Sequence, residues 1–146
     1  MNWKQAAVQR LWDYDTRKES TKILKEQIDV LEMQFTSIRA ARTDGEPVSG
    51  NAGNHREDAM IANICRRDEL TANLNVATRE VELTEKGLSV LTEEEKTILD
   101  VFYIARPYDH VLMLAEMFNV EKSEIYRRKD EALRKFTIAM YGVVEI

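Results

Sequence analysis

Trp3, Ala7, Leu11 and Tyr14 recur at spacings of four, four and three, and Leu24, Ile28, Leu31, Phe35 and Ile38 then alternate four and three. That alternation is the heptad seam of a helix packed along another helix. Asp13 to Ser20 is apolar only at Tyr14, which marks it as the place for a bend or break. Further along, Ile61, Ile64, Leu74, Val81 and Leu88 continue a helical stripe whose middle is weak, with Asp68, Thr71 and Thr78 at inward positions. Between the two stripes lies TDGEPVSGNAGN, Thr43 to Asn54, where Gly45, Gly50 and Gly53 gather around Pro47. Two helices of similar length with one polar loop between them predict an antiparallel hairpin. Such a hairpin buries little surface by itself, so its seam is expected to pack on the rest of the chain or on a second copy.

A third stretch starts at Leu91. Thr92 and Glu95 have the spacing of a capping box, in which the hydroxyl accepts from the Glu95 amide and the carboxylate reaches back. Glu93, Glu94 and Glu95 also suit the positive end of a helix dipole. The helix they open carries Ile98, Leu99, Phe102 and Tyr103 and stops before Pro107.

From Asp109 the pattern is that of two short helices joined by a tight turn. Ala115 is the small residue needed where the two helices cross closely, Asn119 is a residue tolerant of left-handed backbone, and Val120 and Ile125 are apolar at the positions that follow. Leu112, Leu114 and Phe118 are expected to pack from the first helix, and Ile125, Ala132, Leu133 and Phe136 from the second.

Composition narrows the class. The 146 residues include only 5 Gly, 2 Pro and 1 Cys, which argues against a turn-rich β protein, a loop-rich enzyme and a disulfide framework. With 44% hydrophobic and 32% charged residues, amphipathic helices fit better than a disordered chain. No run has the length of a membrane span, and the opening MNWKQAAVQRLWDYD lacks the apolar stretch of a signal peptide, so a cytoplasmic protein without membrane contact is expected. His55, His110 and Cys65 are too scattered to form a zinc site, Cys65 has no base at helical spacing, and no metal or cofactor is expected. Arg66-Arg67 beside Asp68 and Glu69 suggests solvated ion pairs.

The net charge of −5 would by itself argue against nucleic acid, but it is an average over unlike parts. Residues 91 to 121 carry −5, whereas residues 122 to 146 carry +2. With Ile125, Ala132 and Phe136 turned inward, Lys122, Ser123, Tyr126, Arg127, Asp130 and Arg134 face outward, the first ones near the helix N-terminus that reaches base edges in a major groove. Arg127 suits a guanine, Lys122 and Arg134 suit phosphates, and Tyr126 suits a phosphate or a thymine methyl. Arg128 belongs to the same basic run. The candidate DNA-binding residues are therefore Lys122, Ser123, Tyr126, Arg127, Arg128 and Arg134.

The run LTEEEKTILDVFY, followed by LAEMFNVEKSEIYRRKDEALRKF, resembles region four of bacterial sigma factors over about residues 88 to 141. The resemblance rests on Leu114-Ala115-Glu116, Val120, Ile125-Tyr126 and Ala132-Leu133-Arg134-Lys135-Phe136. The first 85 residues resemble none of the other sigma segments. As a whole the chain is similar to small phage and prophage regulators of the ArpU and RinA type, with an N-terminal helix, a loop like Asp44-Gly45-Glu46-Pro47, a second helix and a sigma-like ending. The resemblance implies sequence-specific binding to double-stranded phage promoter DNA, contact with RNA polymerase, and no catalytic residues.

The expected architecture is all-α. A helical hairpin over residues 1–88, with its loop at 43–56, serves oligomerisation (a dimer) or partner contact, and a helix-turn-helix domain over residues 89–146 binds DNA. The competing expectations are a small terminase-like packaging adaptor and a protein-only docking module for RNA polymerase.

Overall fold

The computed structural model describes residues 1–41 and 51–144, and no strand occurs among them. The chain is all-α: α1 (Trp3–Ala41), α2 (Asn51–Ser89), α3 (Glu93–Leu99), α4 (His110–Phe118) and α5 (Lys122–Tyr141). The expected loop at 43–56 ends sooner, because α2 is helical from Asn51; residues 43–50 lie outside the described residues. Helix α1 runs without interruption through Asp13–Ser20, where a bend was expected. Arg17 explains why: it sits on the inner face of α1 and reaches Glu80 Oε2 at 3.1 Å, so a charged pair fills a place that an apolar residue would otherwise take.

The described chain divides into two compact units, and the division differs from a boundary near residue 88. One unit joins residues 1–17 to 79–146, and the other is residues 18–78. The first unit has two adjoining apolar clusters. Ala7 and Leu11 of α1 pack with Leu91, Leu99, Ala132, Leu133 and Phe136, while Ile98, Val101 and Phe102 pack with Leu114, Ala115 and Ile125. The start of α1 thus completes the core of the C-terminal helices. Burial of Ala7, Leu11, Leu99 and Phe136 is complete, and burying a Leu or Phe side chain is worth about 1.5–3 kcal/mol.

Arg10 adds a polar tie to this core. Its guanidinium donates to the Tyr141 hydroxyl at 3.3 Å and to Thr84 Oγ1 at 3.3 Å, and pairs with the Glu80 carboxylate at 2.7 Å. Gly87 lets α2 approach α5 closely: a Cβ there would lie 2.8 Å from Phe136 Cε2 and closer still to Met140 Sδ.

The capping box of α3 is formed, with the Glu95 amide donating to Thr92 Oγ1 and the Thr92 amide to Glu95 Oε1, each at 3.2 Å. Past Leu99 the helix widens into a π-helical turn, Asp100–Ile104, closed by the Ala105 amide donating to the Asp100 carbonyl at 2.8 Å. The wider turn points Val101 and Phe102 into the second cluster.

In the second unit α1 and α2 pair antiparallel, with Leu31 meeting Asn63 and Ala41 meeting Arg56. The inner face of α2 is the expected one at Leu74, Val81 and Leu88 but differs nearer its start. Ile61 is 59% exposed and Ile64 is also exposed, whereas Asn63 and Leu70 are buried and Arg67 is half-buried. Its true seam reads Met60, Asn63, Arg67, Leu70, Leu74 and Ala77, an unbroken alternation of three and four. The polar members are satisfied within the pair. Asn63 Nδ2 donates to the Leu31 carbonyl at 2.8 Å, and Arg67 Nε donates to Asn63 Oδ1 at 2.8 Å while its guanidinium lies 4.8 Å over the Phe35 ring. Arg67 is therefore no solvated surface charge.

Candidate nucleic-acid interface

The turn between α4 and α5 is built as its residues dictate. Asn119 takes the left-handed conformation, φ 53° and ψ 50°, which Asn adopts more readily than other residues with a side chain. Its amide donates to the Glu116 carbonyl at 3.4 Å and that of Val120 to the Ala115 carbonyl at 3.1 Å, which is the Schellman pattern. Val120 packs on the cluster that contains buried Ala115, the hydrophobic contact that accompanies this cap. Glu121, extended, precedes α5.

Helix α5 buries Ile125, Ala132, Leu133, Phe136 and Thr137 along one side. Leu114 is buried on α4 and Phe118 partly so, but Leu112 is 43% exposed, so it does not pack inward as expected. Lys122, Ser123, Tyr126, Arg127 and Arg134 are all exposed, with Asp130 among them. Tyr126 is steadied edge-on against Phe102, with ring centroids 5.8 Å apart. Arg134 is only loosely held, 3.8 Å from Glu131.

Arg128 does not share this face. Its Nη1 donates to Glu94 Oε1 at 2.5 Å and its Nε to Glu124 Oε1 at 3.0 Å, so it ties α5 to the start of α3. Turned sideways by the 100° step per residue, it acts as a strut beside the outward residues. Lys135 does likewise, pairing with Glu95 at 3.1 Å.

Glu124 is the pivot of the local electrostatics. Arg127 grips it with two bonds, Nε to Oε2 at 2.8 Å and Nη2 to Oε1 at 2.6 Å. Hydrogen bonds from Arg127 and then Arg128 hold the Glu124 carboxyl down to about 2. The grip orients the Arg127 guanidinium, and the side chain remains two-thirds exposed. Lys129 was not singled out from the sequence: it pairs with Asp130 at 2.6 Å and stands 5.6 Å over the Phe102 ring, half-buried.

Beside the N-terminus of α5 lies an open groove of about 620 Å³, lined by Leu112, Ala115, Glu116, Asn119, Lys122 and Ser123 among others. Glu116 and Glu121 border it together with Lys122, so both signs of charge meet at the start of α5. Among the described residues no group of three or more His, Cys, Asp and Glu could hold a metal ion, and no helix is long and apolar enough to cross a membrane. His110 is partly buried, its ring edge-on to Phe102 at 4.9 Å and Nδ1 3.1 Å from the Pro107 carbonyl oxygen. Cys65 is exposed.

Comparison of the chain with protein-family models, with curated proteins and with solved structures finds no match in any of the three.

Proposed function

We propose that this protein is a non-enzymatic, sequence-specific DNA-binding regulator of transcription of the phage or prophage kind, reading a major groove with the outer face of α5. The observation that carries the reading is the exposure of Lys122, Ser123, Tyr126, Arg127 and Arg134 on one helix, directly after a turn capped by Asn119. The helix N-terminus delivers Lys122, Ser123, Tyr126 and Arg127 towards base edges and the phosphates beside them. Arg134, two turns on, meets a phosphate. Arg128 supports the reading helix from α3 and makes no base contact in this scheme.

The test is selection of bound duplexes from a randomised DNA pool, followed by fluorescence anisotropy on the enriched sequence. Arg127→Ala should relax preference at one base pair, a loss of about 1–3 kcal/mol of discrimination. Arg134→Ala should weaken all duplexes alike and lower the salt slope by about 0.9. A pool that yields no enriched sequence, with no binding to duplex DNA at low salt, refutes the proposal.

A protein-docking reading has its own support in the exposed Leu112, Met113 and Met117 on α4. An apolar patch of that kind suits a protein better than a phosphate backbone. It is compatible with RNA polymerase as a second partner, and Met117→Glu would abolish polymerase capture without altering DNA affinity.

A further inference from the structure

Helix α1 carries a second stripe in the unit of residues 18–78. Ser20, Ile23, Gln27, Val30, Gln34 and Ser37 alternate three and four, and none of the six is charged. On the opposite flank of the same helix, Lys18, Lys22, Lys25, Asp29, Glu32, Thr36 and Arg39 are charged at every place but one. Solvent exposure alone gives no reason for such an imbalance. A helix with two adjacent 3–4 stripes belongs to a bundle of more than two helices, and α2 occupies only one of them.

The charge-poor stripe borders an open groove of about 380 Å³, whose walls include Ile23, Gln27, Val30 and Gln34 from α1 and Arg66 and Leu70 from α2. Ile23 and Val30 are 53% and 52% exposed. No third element of this unit covers them, since residues 18–78 contribute only α1 and α2 to the described structure.

We infer that this face is the interface for a second copy of the chain, the two hairpins closing into a four-helix bundle. Self-complementarity selects that occupant. Glu26 and Arg66 line the same groove, so a two-fold axis offers each the opposite charge on the other copy. An axis between Val30 and Leu31 of an antiparallel pair sets Gln27 against Gln34 of the second copy, and an amide has both donor and acceptor to meet another amide. The size is adequate. A stripe about 26 Å long on a pair of helices about 20 Å wide gives a footprint on the order of 500 Å² per copy. Two such faces reach the roughly 1,000 Å² total of a specific interface.

The inference deepens the regulator reading, since a dimer doubles a small basic face, but its test uses no DNA and therefore fails or succeeds separately. Sedimentation equilibrium of the full chain at tens of micromolar should show a dimer. Ile23→Glu and Val30→Glu, at exposed places that leave the α1–α2 seam alone, should each give a monomer with unchanged helical circular dichroism. Arg66→Glu should weaken the dimer at least tenfold, and adding Glu26→Arg should restore it. A monomeric wild type, a larger assembly, or a dimer untouched by both glutamate substitutions overturns the inference.

Discussion

Gly87 is the position where a single methyl group should be felt most clearly. A Cβ there would sit 2.8 Å from Phe136 Cε2, and it would also press on Met140 Sδ. Met140 is partly buried and flexible, so it can turn away; Phe136 is completely buried among Ala7, Leu11, Leu91, Leu99 and Ala132, so its ring cannot. Overpacking of this kind costs about 1–3 kcal/mol. Against it stands the helix propensity gained on replacing Gly by Ala, about 1 kcal/mol. Two contacts under 3 Å place the overpacking cost in the upper part of that range, about 2–3 kcal/mol, so Gly87→Ala should destabilise the first unit by about 1–2 kcal/mol net, a fall in Tm of roughly 3–6 °C for a chain of this size. Trp3 and Trp12 both belong to that unit and are the only 2 tryptophans, so their fluorescence during urea unfolding reports on it alone. Gly87→Ala should cost less in a Phe136→Leu background, where the ring edge is gone, which a double-mutant cycle would show as coupling. A Gly87→Ala protein as stable as wild type would mean that α2 and α5 are not held at this separation.

Other outcomes follow from the same contacts. Asn119→Gly should leave stability unchanged or raise it by up to about 1 kcal/mol, while Asn119→Val should lose roughly 1–2 kcal/mol, because only the former is at ease with φ 53°; thermal melts of the two variants compare them directly. The Glu124 carboxyl is held at about 2, below its ordinary 4.5, by Arg127 and Arg128. Its contribution is complete above about pH 4.5 and disappears as the pH falls towards 2, so the Tm gap between wild type and Glu124→Gln should be open at pH 6 and shrink across that acid window. A gap that stays constant down to pH 2 would contradict the pairing. A fragment of residues 89–146 should melt broadly, having lost Ala7, Leu11 and Arg10, whereas residues 1–17 joined to 79–146 by a short Gly-rich loop should melt cooperatively; Arg17 and Glu80, 3.1 Å apart, bring the two cut ends together.

Much of the first unit was legible in the chain. The capping box of Thr92 and Glu95, the left-handed Asn119 and the inward set Ile125, Ala132, Leu133 and Phe136 are local features, set by neighbours three to seven positions away. The outward set on α5 followed from that register. The pairing of Arg128 was not legible, because its partner Glu94 is on another helix and nothing in the basic run shows which arginine ties two helices together. The seam of α2 was misjudged by one position around Ile61 and Ile64, since Asn63 and Arg67 look like surface residues until their partners Leu31 and Phe35 are known. The division into compact units departs from a boundary near residue 88 for a similar reason. Ala7 and Leu11 pack against residues at the far end of the chain, and no local pattern encodes a contact of that range.

That long-range packing has a consequence for how the protein is made. Ala7 and Leu11 leave the ribosome before their partners exist, since Ala132, Leu133 and Phe136 are synthesised more than a hundred residues later. At about 5–20 residues per second, the opening turns of α1 wait on the order of ten seconds for the surface they are meant to cover. During that interval the nascent chain presents Trp3, Ala7 and Leu11 without their final neighbours. Residues translated well before their partners can be among the last to reach native contacts.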